Sequence, residues 1–181
     1  MSKAMADLLN DHETILTAIQ VLERMRAALE TNASVNMQDM HAFIRFVDEF
    51  IDECHHGKEE IYLFPAMAAA GIPEKGGPIG VLLSEHAQGR QLIRDMESAI
   101  TTDLDKEKLA RVMRAYASLL RVHVRKENTI MFPMAERALA EAQLEKVYAG
   151  FEEHVEMVIG QGRLAELHAI LARLQEEYRP K

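Results

Sequence analysis

One pattern of histidine, glutamate, phenylalanine and proline occurs twice in this chain, 68 residues apart (123 − 55 = 68). The first copy contains His55, Glu59 and Leu63-Phe64-Pro65, and the second contains His123, Glu127 and Met131-Phe132-Pro133. Residues four apart lie on one face of an α-helix, so each His/Glu pair can direct an imidazole nitrogen and a carboxylate oxygen to one point. Because Lys58 and Lys126 also recur in register, the pattern indicates an internal duplication rather than two solvent-exposed ion pairs.

The duplication extends to the helix that precedes each copy. Asp7-Leu8-Leu9-Asn10-Asp11-His12 is matched by Val81-Leu82-Leu83-Ser84-Glu85-His86, with the histidines 74 residues apart (86 − 12 = 74). Each half therefore supplies one single histidine and one His-x-x-x-Glu pair. Two such helical hairpins predict an all-α fold, an up-down four-helix bundle with both sets of polar side chains directed inward.

Apolar residues recur at helical spacing through most of the chain, and no segment alternates as a strand does. We predict helices at about 3–30, 37–70, 79–100 and 106–139, followed by a segment interrupted near Gly160 that ends at about Tyr178. Residues 31–34 and 101–103 are the predicted connections. Pro65 and Pro133 are expected to kink their helices, and Gly71 is the expected stop. We expect one domain over residues 1–181, with the bundle at about 4–139 and a C-terminal helical extension at about 140–179.

Composition and charge exclude several classes of partner. The formal net charge is −8, which argues against nucleic acid and anionic membranes because both attract basic surfaces. No apolar run approaches the ~20 residues that span a bilayer, and the first residues lack a signal-peptide apolar region. The single cysteine, Cys54, excludes an intramolecular disulfide framework. We therefore expect a cytoplasmic protein and predict no particular protein partner.

The duplicated side chains have the chemistry of metal ligands. The predicted ligands are His12, His55, Glu59, His86, His123 and Glu127. Imidazole and carboxylate donors together suit iron, manganese or zinc. Six ligands are too many for one tetrahedral zinc and about right for two ions. If both glutamates bridge the ions, positions remain open where a small molecule can bind.

These residues resemble the hemerythrin-like (HHE cation-binding) family, over about Asp7 to Pro133. The resemblance implies a four-helix bundle around two iron ions that share an oxo or hydroxo bridge and bind dioxygen. It implies that His12, His55, His86 and His123 are terminal ligands and that Glu59 and Glu127 are the bridges.

The sequence departs from the invertebrate oxygen carriers of that family at two places. The carriers have a further histidine four residues after the third-helix histidine, where this chain has Arg90. They also have an aspartate one residue beyond the position of Glu127. The predicted set is thus one ligand short, and His56, His154 or water would complete it. His56 and Glu60 form a second i,i+4 pair one residue round the helix, which we place in an outer layer. Both remain secondary candidates for metal ligands, as does His154.

Other polar side chains receive structural interpretations. Lys58 and Lys126 are expected to lie outside the bundle as solvated charges. Tyr62, seven residues after His55, is expected on the same helix face. Tyr116 is expected to be a core aromatic with a hydrogen-bonded hydroxyl, and Cys54 an inert buried thiol.

The function predicted from the sequence is binding or sensing of dioxygen or a related small molecule such as nitric oxide or peroxide. Two other classes fit the same residues. One is a di-iron enzyme or iron-handling protein that reduces peroxide or nitric oxide, or repairs iron centres. The other is a structural helical bundle that holds zinc.

Overall fold

A computed structural model describes residues 1–31, 35–101 and 104–179, and within these ranges it contains helices and no strand. The α-helices are α1 (Lys3–Glu30), α2 (Met37–Phe46), α3 (Phe64–Ala69), α4 (Pro78–Thr101), α5 (Lys106–Lys126), α6 (Phe132–Ala138), α7 (Glu141–Val158) and α8 (Gly160–Glu177). Three π-helical segments, with i→i+5 hydrogen bonds, are π1 (Val47–His56), π2 (Glu59–Leu63) and π3 (Glu127–Met131). The all-α prediction is confirmed. No helix in the described ranges is long and apolar enough to cross a membrane.

The helix boundaries follow local signals in the sequence. Ser2 caps α1 by accepting a hydrogen bond from the backbone N–H of Met5. Gly71 has φ +93°, a left-handed conformation that ends the helix after α3 without the strain a side chain would add. Gly160, at φ +67°, separates α7 from α8 in the same way. The predicted connections fall partly on residues 32–34 and 102–103, which lie outside the described residues.

Both Phe-Pro motifs lie inside continuous helical segments. The Phe64 N–H bonds to the carbonyl of Glu59, and the Phe132 N–H bonds to that of Glu127, so a π turn precedes each proline. Proline cannot donate a backbone hydrogen bond and clashes with the carbonyl four residues earlier. The wider π turn changes the position of the carbonyl four residues before each proline relative to the proline ring. The chain stays helical beyond both prolines, as predicted.

The long helical segments contact one another in a closed ring. α1 packs against α5, α5 against α4, α4 against π1, and π1 against α1. The C-terminal helices lie outside this ring on the side of the first hairpin. There α7 contacts α1, π1 and π2, and α8 contacts α1, α2 and α7.

A buried polar layer divides the apolar interior into two clusters. On α1, Leu8 belongs to one cluster and Ile15 to the other, and His12 lies between them. The other three segments show the same order, with one apolar residue of each cluster on either side of the polar ones. Ile51 and Leu63 flank His55 and Glu59. Leu120 and Met131 flank His123 and Glu127, and Leu82 and Ile93 flank His86. The fold therefore brings the polar residues of four helical segments to one level.

Candidate metal centre

The helical segments that carry the His/Glu pairs widen into π turns at this level. His55 and His56 end π1, Glu59 begins π2, and Glu127 begins π3. A turn closed by an i→i+5 bond rotates each residue by less than the ~100° of an α-helix. Consecutive side chains therefore stay nearer to one face, and both His55 and His56 are buried.

Each half of the duplication contributes one pair of facing imidazoles. In the first half, Nε2 of His12 lies 3.2 Å from Nε2 of His55. In the second half, the corresponding Nε2 atoms of His86 and His123 lie 3.1 Å apart. Four of the predicted ligands thus direct the same ring atom to the interior.

Each glutamate lies between histidines from both halves. The two carboxylate oxygens of Glu127 lie 3.2 Å from Nε2 of His12 and 3.1 Å from Nε2 of His123. One oxygen of Glu59 lies 3.4 Å from Nε2 of His86 and 3.9 Å from Nε2 of His55. This is the placement expected of two carboxylates that bridge a pair of ions.

Three overlapping groups of buried side chains have the spacing of metal ligands. They are His12/His55/Glu59/Glu127, Glu59/His86/His123/Glu127 and His56/His86/His123. We call the seven residues together the His/Glu cluster. The structure brings all six predicted ligands into it and adds His56.

Several donor atoms of the cluster are buried without a hydrogen bond. Within the described residues, no partner satisfies either oxygen of Glu59, either oxygen of Glu127, or Nε2 of His56. Buried polar groups normally have partners because leaving one unpaired costs about 1–3 kcal/mol. Five such atoms at one point are what a metal-binding site requires, and the residues present therefore fit a bound cation.

The outer ring nitrogens form hydrogen bonds that the duplication repeats. Nδ1 of His55 donates to Asp11 at 3.2 Å, and Nδ1 of His123 donates to Glu85 at 3.0 Å. Asp11 and Glu85 directly precede His12 and His86, so they occupy equivalent places in the two halves.

The remaining pair of single histidines is held by the residues after the glutamates. Nδ1 of His12 donates to Oδ1 of Asn128 at 2.5 Å, and Nδ1 of His86 donates to Glu60 at 2.7 Å. Since these partners accept, Nδ1 carries the proton and Nε2 keeps its lone pair for a metal ion. The acid before each single histidine recurs in the sequence and could have predicted part of this outer layer.

His56 lies inside the cluster, as expected of one of the candidates to complete the ligand set, and not in the outer layer where we placed its i,i+4 pair. Its ring stacks on that of His86, with centroids 3.8 Å apart. Its Nδ1 donates to Asp52 at 3.1 Å, which leaves Nε2 directed into the site. We placed His56 on a different face from His55 because we assumed the ~100° rotation per residue of an α-helix, whereas this segment is π-helical.

The two other secondary candidates lie outside the cluster. Glu60 accepts hydrogen bonds from His86 and Arg90, so its carboxylate belongs to the outer layer, as predicted. Nε2 of His154 donates to the backbone carbonyl of Glu53 at 2.8 Å. His154 thus supports the outer side of π1 and is not directed at the ligands.

Lys58 is not a solvated charge, contrary to our expectation. It is 3% exposed, and its ammonium donates to Asp7 at 2.7 Å and Asp11 at 2.8 Å. Lys126 is partly exposed and pairs with Glu85. Each lysine therefore anchors the acid that orients a cluster histidine, and the recurrence of lysine in the duplicated pattern has a structural reason.

The predicted core position of Tyr116 is confirmed, whereas the hydrogen bond predicted for its hydroxyl and the helix face predicted for Tyr62 were wrong. The prediction for Cys54 is consistent with the structure. Tyr62 packs against α7, with its ring 6.3 Å from Phe151 and 5.8 Å from His154, because the π turns change the face it occupies. Tyr116 is a core residue, but its buried hydroxyl has no partner in the described part of the chain. Cys54 is buried, and burial raises the pKa of its thiol to about 11, which keeps it protonated and unreactive.

The phenylalanines of the duplicated motif cover the single histidines. Phe132 stacks on His12 with centroids 5.1 Å apart, and Phe64 stacks on His86 with centroids 5.9 Å apart. Each ring belongs to the half opposite its histidine. The motif thus supplies an apolar wall on each side of the cluster.

The pKa values of the cluster histidines depend on the charged side chains beside them. Burial alone would lower the pKa of His123, but the neighbouring Glu127 carboxylate outweighs it and raises that pKa to about 10. Burial and the surrounding imidazoles and Arg90 lower the pKa of His56 well below its usual value. Metal binding needs neutral imidazoles, so it must displace protons from the cluster.

Comparison with known proteins agrees with this geometry. The family model described as hemerythrin HHE cation binding domain matches residues 4–135. Uncharacterized protein Rv1995 of Mycobacterium tuberculosis and uncharacterized protein Mb2018 of Mycobacterium bovis are each 22% identical over 152 residues, covering 81% of this chain. The chain spans 59% of the length of these relatives. No solved structure matches significantly. The family match covers most of the chain and all seven cluster residues, and the chain therefore belongs to the hemerythrin HHE cation-binding family.

Proposed function

We propose that the His/Glu cluster holds two iron ions and that the protein uses them to bind or sense dioxygen, nitric oxide or peroxide. The five buried donor atoms without hydrogen bonds are the observation that carries the proposal. A protonated His123 would compensate the charge of Glu127 in part. A packing role would still leave the Glu59 oxygens and Nε2 of His56 without partners among the residues that the structure describes, whereas cations would compensate all five atoms. The mixture of imidazole and carboxylate donors suits iron and also suits manganese or zinc.

The overlapping groups suggest how the ligands divide between the ions. His12 and His55 would hold one ion, His56, His86 and His123 would hold the other, and Glu59 and Glu127 would bridge them. His56 thereby takes the place of the ligand that was missing from the predicted set. The ion held by His12 and His55 would have one protein donor fewer, so it would be the more open to a small molecule. Two ferrous ions would supply the electrons and the open position that such molecules need.

The protein's own residues would orient the ligands and exclude water. The outer hydrogen bonds fix the imidazole rings with Nε2 inward before a metal arrives. All seven cluster side chains are at most 3% exposed, and apolar clusters lie above and below them. A dry enclosure of this kind favours binding of a small neutral molecule and limits loss of the ions to solvent.

We further propose that the closed ring of helical segments is an up-down four-helix bundle and that residues 1–181 form one domain. The ring of contacts and the one-level placement of the ligands support the bundle. The packing of α7 and α8 on the first hairpin supports the single domain. The buried free thiol of Cys54 fits the reducing cytoplasm in which we place the protein.

The test is metal content with an optical spectrum, on protein purified without added metal, then reduced and exposed to air. We expect about two iron ions per chain and an oxygen-dependent near-ultraviolet band that is lost in His55→Ala and His123→Ala. One zinc ion, or no oxygen-dependent band after loading with ferrous iron, would overturn the di-iron proposal. Steady turnover of peroxide or nitric oxide with a reductant would instead show an enzyme.

A further inference from the structure

One side chain joins two outer hydrogen bonds of the cluster. Arg90 lies on α4, four residues after His86, and reaches across to the helical segment that carries His56. Its Nε lies 2.8 and 2.9 Å from the two oxygens of Asp52, and its Nη2 lies 2.7 Å from Oε1 of Glu60. One guanidinium therefore holds two carboxylates in fixed positions.

Each of these carboxylates also accepts a hydrogen bond from a cluster histidine. Asp52 accepts from Nδ1 of His56 at 3.1 Å, and Glu60 accepts from Nδ1 of His86 at 2.7 Å. The same two imidazoles stack on each other at 3.8 Å. Arg90 thus connects the outer partners of two neighbouring rings and fixes the angle between them.

The arrangement is present in only one half of the duplication. Asp52, His56 and Glu60 correspond, 68 residues on, to Leu120, Val124 and Asn128. Arg90 corresponds, 74 residues earlier (90 − 74 = 16), to Leu16, which is an exposed residue of α1. The four residues therefore depart from the duplicated pattern together, as expected if they serve one purpose.

The geometry suits arginine and not lysine. A guanidinium presents several N–H donors in a rigid plane and can bond two carboxylates at once, whereas an ammonium is a compact point charge on a flexible chain. Arg90 is one-third exposed, and both of its partners are largely buried, so these bonds are partly shielded from water.

We propose that Arg90 is a positioning residue that presents Nε2 of His56 to the metal ion held by His86 and His123. The proposal rests on the proposed function, since it concerns the same two ions. Loss of an outer partner of a metal ligand typically lowers metal affinity 10–100-fold. Without Arg90, Asp52 and Glu60 both lose a partner that fixes them, so that His56 and His86 can turn away. Only the ion that His56, His86 and His123 would hold is then affected.

The experiment is a titration of the metal-free full chain with Co²⁺, followed by visible absorption. We expect the wild type to bind two ions. Arg90→Met should bind the ion at His12 and His55 as the wild type does, but the ion at His56, His86 and His123 about 10–100-fold more weakly. Arg90→Lys keeps the charge and should recover only part of that loss. The matched control is Arg163→Met, because Arg163 bonds both oxygens of Glu49 and is similarly exposed. It should bind both ions as the wild type does.

A double variant separates positioning from a general loss of structure. His56→Ala should weaken the same ion, and adding Arg90→Met to it should cause a clearly smaller loss than Arg90→Met causes alone, because only the bond from Arg90 to Glu60, the partner of His86, is then left to lose and residues that act through one another are non-additive. Unchanged binding in Arg90→Met, full recovery in Arg90→Lys, or additive losses in the double variant would each overturn the proposal. A wild type that fails to take two ions would instead refute the proposed function. Circular dichroism identifies a misfolded variant, and Arg90→Gln then replaces Arg90→Met.

Discussion

The ring of Tyr62 fills a notch that Gly150 leaves in α7. A Cβ atom on Gly150 would lie 2.2 Å from Cδ1 of Tyr62, closer than any van der Waals contact allows. Tyr62 belongs to π2, which begins with the cluster residue Glu59. The missing side chain at Gly150 therefore lets the C-terminal helices approach the helical segment that carries the ligands.

Gly150→Ala is expected to destabilise the protein by about 1–3 kcal/mol, the usual range for overpacking a well-filled interior. The reason is that Tyr62 must leave its rotamer or α7 must move away. Chemical denaturation of the metal-free protein would measure the change.

The control for this variant is Gly162→Ala on α8, where a Cβ meets nothing within 4 Å. Alanine is favoured over glycine in a helix, so we expect stabilisation of about 0.5–1 kcal/mol. Equal effects of the two alanines would show that α7 does not pack on Tyr62 as described.

Tyr116→Phe is expected to leave the stability unchanged or to raise it by up to about 1 kcal/mol. The Tyr116 hydroxyl is buried, and it has no partner in the described part of the chain, so removing it loses no bond and relieves its desolvation. Tyr178→Phe is the comparison, because the Tyr178 hydroxyl donates to Asp39 at 3.1 Å. That substitution should cost about 0.5–1.5 kcal/mol in thermal or denaturant unfolding.

Bound metal should stabilise the protein fully only when both Glu59 and Glu127, the bridging ligands that we propose, are intact. A ligand at 100 times its dissociation constant adds about 2.7 kcal/mol to the free energy of unfolding. We expect a gain of this order for the wild type with Zn²⁺ or Fe²⁺, and a much smaller one for Glu59→Gln. Glu53→Gln changes an exposed carboxylate of π1, the segment that precedes Glu59, and should gain as much as the wild type. A full gain in Glu59→Gln would remove that residue from the ligand set.

The ion pair between Glu49 and Arg163 predicts a stability difference that disappears in acid. Hydrogen bonds from Arg163 lower the pKa of Glu49 below its usual 4.5 and outweigh the opposing effect of burial. A carboxyl whose pKa is lowered by folding stabilises the protein above its unfolded pKa, and the contribution is lost as the pH falls through the folded value.

The matching measurement compares wild type with Arg163→Met by urea unfolding at several pH values. The wild type should be more stable by about 0.5–1 kcal/mol at pH 7, and the difference should shrink below about pH 4.5. A difference that stays constant down to pH 2 would mean that Arg163 acts through packing alone.

The sequence predicted well which polar residues meet in one buried layer. It predicted less well which way their side chains point within that layer. Duplication of His12 and His86, and of the two His-x-x-x-Glu pairs, was enough to place six side chains in one cluster. Helix ends near Glu30 and Gly71 also followed, the first from the polar residues after Glu30 and the second from the glycine itself. These features depend on local pattern, which periodicity and capping residues record directly.

Side-chain orientation failed where the backbone left the α-helical period. His56 and Tyr62 were assigned faces by the α-helical rotation, and the π turns moved both. Lys58 was assigned to solvent because lysine usually is, and only the fold shows that Asp7 and Asp11 surround it. Neither π turns nor contacts between distant segments leave a simple periodic signal in the sequence.

The incomplete duplication gives the molecule an internal reference. The two ions proposed here would share both bridging glutamates and would always be measured in the same sample, under the same conditions. They would differ chiefly in His56 and its outer partners. A difference between their spectra within a single sample would then report on that histidine, without comparison between separate preparations. The four departures from the repeat, at Asp52, His56, Glu60 and Arg90, are what separate each half of the site from its near-copy.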